Sequence, residues 1–152
     1  MWNIWLFIPE LKRSPKLLWL DTGIVNYVAG IQKEVFSVQD IADAWRGKIA
    51  EHIVGQELLS GKTDFLAQRH FWVRNAHSSD AEIDFIIQHD SRIIPVEVKS
   101  AENLNAKSLK IFCEKFKPAN AIRTSLSDYR KESWLTNVPL YLIGNYLNEH
   151  EL

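Results

Sequence analysis

Residues 82–100, EIDFIIQHDSRIIPVEVKS, decide the fold. Two β-rich runs, EIDFII and IIPVEVK, flank the polar stretch QHDSR, the pattern of a β-hairpin that turns near His89. Side chains alternate across a strand, so Glu97 and Lys99 project from one face while Val96 and Val98 project from the other. The hairpin register brings Asp84 of the first strand to the same cluster. Charged groups in so apolar a setting stay buried only when they are paired or bound to a metal. The spacing also fits solvated residues on an edge strand, with Asp84 exposed nearby.

Just upstream, HFWVR (70–74) is aromatic and β-branched and makes the hairpin the end of an antiparallel three-strand meander. Earlier still, from Val38 to Leu59, Ile41, Ala44, Trp45, Ile49 and Ile53 recur at helical spacing. They predict a helix that ends at Ser60-Gly61 and breaks near Gly47. Glu51, Val54 and Leu58 share a second stripe, roughly opposite Trp45, Ile49 and Ile53. A helix apolar on two sides belongs between layers, with Val54 and Leu58 toward the sheet and Glu51 toward Asp84. An ordinary exposed glutamate fits the pattern equally, and Glu57 is the second candidate on this helix. Beyond Ser100, Leu109, Phe112, Cys113 and Phe116 predict a helix stopping before Pro118; AIRTSL (121–126) and VPLYLIG (138–144) supply two more strands. The order of helix, three strands, helix and two strands predicts an α/β sandwich around a central mixed sheet flanked by helices.

The 152 residues fit one domain, and 46% hydrophobic with 24% charged residues is ordinary for a globular protein. Lys plus Arg (18) nearly balance Asp plus Glu (19), so no global positive field draws polyanions, and any nucleic-acid contact must be local. The single Cys113 excludes an internal disulfide and no Cys/His pair has zinc-finger spacing; the chain fits a reducing cytoplasm, with Cys113 a core residue. The opening MWNIWLFIPELKR has no basic leader region, and Pro9 and Glu10 interrupt its apolar run, so neither a signal peptide nor a membrane span is expected. Residues 1–30 hold Trp2, Trp5 and Trp19 among Pro9, Pro15, Gly23 and Gly30, which predicts strands or turns wrapped on something larger. So apolar a segment should cover this domain or meet a partner, and where exposed it would pair two copies into a homodimer.

The chemistry that wants this cluster is phosphodiester hydrolysis. Asp84 and Glu97 are hard oxygen ligands for Mg²⁺ or Mn²⁺, the backbone carbonyl of Val98 is a further ligand, and the metal would stabilise charge developing on a phosphate. Lys99 would orient or deprotonate the attacking water. Lys107, Lys110, Lys115 and Lys117, on the helix after the motif, either meet a nucleic-acid backbone or form a solvated face. Arg74 and Arg123 either neutralise a phosphate or pair with Asp80, Glu82 or other nearby acids. The histidines (His52, His70, His77, His89, His150) share no ligand spacing; His77 and His89 flank a hairpin strand, where they touch a phosphate or are simply solvated.

Taken in order, SPKLLWLDTGIVNYVAG (14–30), RGKIAEHIVGQELL (46–59), FWVR (71–74), EIDFII and IIPVEVKS resemble the C-terminal domain of unknown function of a widespread family of bacterial and archaeal AAA-type ATPases. The resemblance covers nearly the whole chain. That domain is similar to PD-(D/E)XK nucleases and archaeal Holliday-junction resolvases, which implies a restriction-endonuclease-like core. It also implies metal-ligand roles for Asp84 and Glu97, the catalytic lysine at Lys99 and the helical glutamate at Glu51. By the same likeness residues 1–37 would link to an ATPase part, residues 38–152 would be the nuclease-like domain, and DNA and the ATPase domain would be its partners. GQELLSGKT (55–63) is not a phosphate-binding loop: Gln56 stands where the motif needs its first glycine, and a helix precedes where a strand is required. Two functions fit. One is a metal-dependent nuclease acting on DNA ends or branched DNA, favoured by the intact Asp/Glu/Lys set. The other is a nuclease-fold module without turnover, used for interaction or DNA sensing, favoured by the neutral charge.

Overall fold

The computed structural model describes residues 16, 18–19, 21–30, 43–60, 69–74, 81–89, 92–100 and 105–149. The expectations placed on Trp2, Trp5, Ile41, residues 61–63, His77 and His150 lie outside these residues.

Three strands form the expected antiparallel meander: β1 (His70–Arg74), β2 (Ala81–His89) and β3 (Arg92–Val98). The β2–β3 hairpin runs in register from His89 facing Arg92 to Phe85 facing Val96. A parallel strand needs a crossover, and helix α3 (Lys107–Phe116) carries the chain over one face to β4 (Ile122–Ser125). Strand β6 (Thr136–Pro139) extends the parallel part, and the two-residue β5 (Arg130–Lys131) closes its edge antiparallel. Among the described residues the sheet is thus mixed and six-stranded, in the order β1-β2-β3-β4-β6-β5.

Helix α2 (Asp43–Ser60) covers the opposite face from α3. Ala50, Val54 and Leu58, four residues apart, pack on Phe85, Val96 and Val98, so this stripe lies inward as the spacing predicts. The helix is continuous through Gly47, without the expected break. On the other face Leu109 and Phe112 of α3 meet Ile83 and Ile86. Trp72 of β1 stands edge-on to Phe112 and Phe116, with centroids 5.3 and 5.9 Å away, and clamps α3 to the sheet. Lys117, in the left-handed conformation at φ 48°, ends α3 just before Pro118.

Two expected extended segments are helical. Where strands or turns were expected in residues 1–30, Thr22–Val28 form α1. The Asp21 carboxylate caps its start by accepting from the N–H groups of Gly23 and Ile24, and Gly30, at φ 69°, follows its end. The strand expected over 138–144 stops at Pro139, which has no N–H to continue the ladder. A 3₁₀ turn (Leu140–Leu142) then leads into α4 (Ile143–Glu149), whose Ile143, Tyr146 and Leu147 fold onto the α2 side of the core. On α1, Ile24, Tyr27 and Val28 remain exposed. Among the described residues no helix is long and apolar enough to cross a membrane.

The β1–β2 pairing is irregular at one point. His70 faces Ile86 but Trp72 faces Ile83, so Asp84 and Phe85 together oppose the single residue Phe71. This is a β-bulge in β2, and it resets the side-chain alternation. Ile83 and Ile86, three apart, lie on the α3 side, while Phe85 lies on the α2 side.

Because Phe112 is fully buried between Trp72 and the sheet, Phe112→Ala should cost about 3–5 kcal/mol of unfolding free energy. Chemical denaturation of both proteins measures it, and a loss under ~1 kcal/mol would contradict the packing described.

Candidate functional site

The bulge places Asp84 at the point where β2 and β3 part. Phe85 and Val96 form the last β2–β3 pair, and the next position of that register sets Asp84 beside Glu97. Instead of a backbone carbonyl, the Asp84 carboxylate takes the strand-end donor: Val98 N–H donates to its Oδ2 at 2.8 Å. Val96 and Val98 belong to the α2-side core, so Glu97 between them points to the α3 side, nearly fully buried. Its Oε1 lies 2.8 Å from Lys99 Nζ, while its Oε2 is buried with no hydrogen-bond partner among the described residues. Lys99 is held just past the strand by its own N–H, which donates to Thr124 O at 2.8 Å. The pairing of Glu97 and Lys99 is what i, i+2 alternation requires.

Glu51 reaches the same region from α2. Its Oε1 is 3.3 Å from Lys48 Nζ, and its Oε2 is 3.7 Å from Lys16 Nζ, which is also 3.7 Å from Asp84 Oδ1. Lys16 contacts Glu82 as well and lies over the Phe71 ring, 5.4 Å from its centroid. Burial alone would lower the Lys16 pKa, but Glu82, Asp84 and Glu51 outweigh it and hold the ammonium above its ordinary value. Lys16 and Glu82 are the residues that sequence reasoning left unassigned to the site. Glu82 was legible as an acid in the same strand; nothing local ties Lys16 to the hairpin.

Burial pushes the Asp84 carboxyl up to about 6; the Val98 N–H opposes the rise, Glu51 adds to it, Lys16 opposes it and Glu97 adds again. The donors suit a hard divalent cation, because they are all oxygen and, among the described residues, Glu97 Oε2 has no hydrogen-bond partner and Asp84 Oδ1 is paired with Lys16 at 3.7 Å. Among the described residues, however, no group of three or more Asp, Glu, His or Cys side chains is arranged to hold a metal. A small cation with several retained waters needs only one or two carboxylates, so the residues fit it as a two-acid site.

The remaining candidates lie elsewhere. Arg123, paired in register with Glu97, has an acid partner in Glu132: its Nη2 donates to Glu132 Oε1 at 2.8 Å, and its Nε donates to Asn137 Oδ1 at 2.9 Å. Lys107, Lys110 and Lys115 on α3, and Lys117 at its end, are all exposed. His52 is buried on α2 with Nδ1 donating to Lys48 O at 2.8 Å. Burial, followed by Glu114 and Glu97, pushes the Cys113 thiol up to about 11, so it is protonated at neutral pH and packs as a core residue. Gly55 is a helix-interior residue against Leu18 and Phe85, not part of a phosphate-binding turn.

Fold and site together define an α/β domain with a lysine-neutralised acidic pocket where a bulged strand leaves its neighbour. Residues 46–143 match the family described as Domain of unknown function (DUF4143), and the chain belongs to it. No curated protein and no solved structure matches the chain.

In the metal-free protein the raised Asp84 pKa has a defined sign. Between the ordinary value of 3.8 and about 6 the folded state binds more protons at this group than the unfolded one, so the stability Asp84 contributes is fully present below pH ~4 and is lost as pH rises through about 6. The loss attributable to this group is on the order of 3 kcal/mol. Urea unfolding of wild type and Asp84→Asn from pH 4 to pH 8 isolates it: the variant should become relatively more stable by that amount as pH rises. A difference independent of pH would mean that Asp84 ionises normally.

Proposed function

We propose that this chain is a divalent-metal-dependent nuclease domain of the PD-(D/E)XK type, hydrolysing phosphodiester bonds in DNA ends or branched DNA in the cytoplasm. The observation that carries the proposal is the pairing of a buried, half-unsatisfied Glu97 with Lys99 at the end of β3, beside an Asp84 inserted between the strands. A buried carboxylate oxygen without a donor is costly, and a cation is the partner that removes the cost. The order helix, antiparallel meander, helix, parallel strand supports the same reading, since it sets α2 with Glu51 over the strand ends that carry Asp84 and Lys99.

Asp84 Oδ1, Glu97 Oε2 and the Val98 carbonyl would hold Mg²⁺ or Mn²⁺, which supplies charge stabilisation for the phosphate and lowers the pKa of water. The protein's own groups do the rest. Val98 N–H fixes the Asp84 carboxylate, leaving one oxygen open. Glu97 Oε1 holds the Lys99 ammonium at the strand end, where it orients the attacking water by donating a hydrogen bond to it; taking the water's proton would require the neutral amine. Glu51, on the opposite side of Asp84, positions water through its carboxylate. Docked DNA would meet the exposed α3 lysines through its backbone. In a longer protein an AAA-type ATPase part would be the partner, joined through residues 1–37.

The absence of a converging three-acid group among the described residues favours a second reading, a nuclease fold without turnover that binds or senses DNA. Thermal melts with Mg²⁺ or Mn²⁺, together with cleavage assays on linear, circular and branched DNA, separate the two. Wild type should gain roughly 2–3 kcal/mol of stability at a metal concentration about 100 times Kd. Asp84→Ala and Glu97→Ala should lose most of that gain and all cleavage. Lys99→Ala should keep the gain while cleavage falls by about 10²-fold or more. A melt indifferent to both metals, with no DNA form cut, selects the binding module.

A further inference from the structure

We propose that Lys16 is the resident counter-cation of the pocket lined by Glu51, Glu82 and Asp84, and that a divalent cation loads only by displacing it, so that the N-terminal segment regulates the site. The inference rests on the metal-binding reading above and adds a regulator to it. Lys16 Nζ lies 3.7 Å from Glu51 Oε2 and 3.7 Å from Asp84 Oδ1 and directly contacts Glu82. The Asp84 oxygen it faces is the one that Val98 N–H leaves open, and therefore the one a metal would use. Oxygen ligands sit about 2.0–2.1 Å from Mg²⁺. An ammonium already among these carboxylates occupies the same space, and like charges this close repel strongly in a half-buried setting. The two cations cannot share the pocket.

The delivery of Lys16 is built into the fold. Gln56 Nε2 donates to Trp19 O at 3.3 Å, and Leu18 packs on the core closely enough that a Cβ at Gly55 would meet its Cδ1 at 3.0 Å. These contacts pin the segment to α2 beside the pocket. The lysine stem is long and flexible, so the ammonium can swing out while Leu18 and Trp19 stay in place. The contact that leaves is a set of ion pairs, which yields to a doubly charged competitor; the contacts that stay are the apolar packing of Leu18 and the Gln56–Trp19 hydrogen bond. Any partner that lifts Lys16, Leu18 and Trp19 from α2 would open the pocket further.

The test is Mn²⁺ binding to the full chain, read by calorimetry or by the electron paramagnetic resonance of free Mn²⁺, in wild type, Lys16→Met and Lys16→Arg. Lys16→Met, which keeps the apolar stem, should bind Mn²⁺ roughly tenfold tighter or more and melt at lower temperature without metal. Lys16→Arg, which restores the charge, should return the affinity to near the wild-type value. A purely structural lysine would lower the metal-free melt in the Met variant without tightening metal binding. Equal or weaker Mn²⁺ affinity in Lys16→Met therefore overturns the Lys16 proposal alone, whereas no Mn²⁺ binding by any of the three proteins overturns the metal site itself and this proposal with it.

Discussion

A single hydrogen bond, from Val98 N–H to Asp84 Oδ2, organises the half of this domain that carries the candidate site. A regular ladder at this point would have paired β2 and β3 backbone to backbone and left Asp84 as an ordinary strand residue. The two-against-one bulge opposite Phe71 lengthens β2 by one residue and turns its carboxylate into the gap. The Asp84 carboxylate satisfies the strand-end donor of Val98. The α3-side core accommodates the change because Ile83 and Ile86 still point the same way, three residues apart instead of two. Packing on both faces thus holds the bulge in place, and the bulge places the acid.

Electrostatics then decides what surrounds it. Asp84, Glu82 and Glu97 on two strands and Glu51 on a helix bring four acids into one region without converging on one point, and unit charges about 4 Å apart interact with on the order of 4 kcal/mol at an effective dielectric near 20. The domain answers with three lysines: Lys99 on Glu97, Lys48 on Glu51, and Lys16 among Glu51, Glu82 and Asp84. The neutralisation is incomplete, as the Glu97 Oε2 without a partner among the described residues records, and burial above all keeps the Asp84 carboxyl above its ordinary value. A site assembled for stability alone would have paired or removed these groups, since a well-packed apolar substitute is often the more stable choice. The residual imbalance is what a bound cation would relieve.

The other half of the sheet handles its buried charge differently. Asn137 Oδ1 accepts from both Arg123 and Ser125, its Nδ2 donates to Ser127 O and Asp128 O, and Arg123 also holds Glu132. Donors and acceptors close on each other, the 127–132 segment is tied across β6, and the short edge strand β5 follows from it. Thr124 Oγ1 on β4 is buried without a hydrogen-bond partner among the described residues, so what sets this half apart is that its charged groups are paired, whereas the β3 side keeps an unpartnered carboxylate oxygen on Glu97.

The sequence by itself determined the meander, the hairpin register, the shared face of Glu97 and Lys99, the inward stripe of Val54 and Leu58 and the stop of α3 at Pro118. All of these follow from side-chain period or from the local chemistry of turns and caps, which a few neighbouring residues suffice to set. The capping Asp21 and the missing N–H of Pro139 were local signals too, and they made helices of segments whose apolar content suggested strands. Only the tertiary structure decided the rest. The bulge at Asp84 depends on how β2 pairs with β1, Arg123 chose Glu132 through the course of the β4–β5 connection, and Lys16 entered the pocket because Leu18 packs on the α2-side core and the Trp19 carbonyl accepts from Gln56. Each is a contact between residues far apart in the chain, where periodicity carries no information and burial and charge pairing choose the partner.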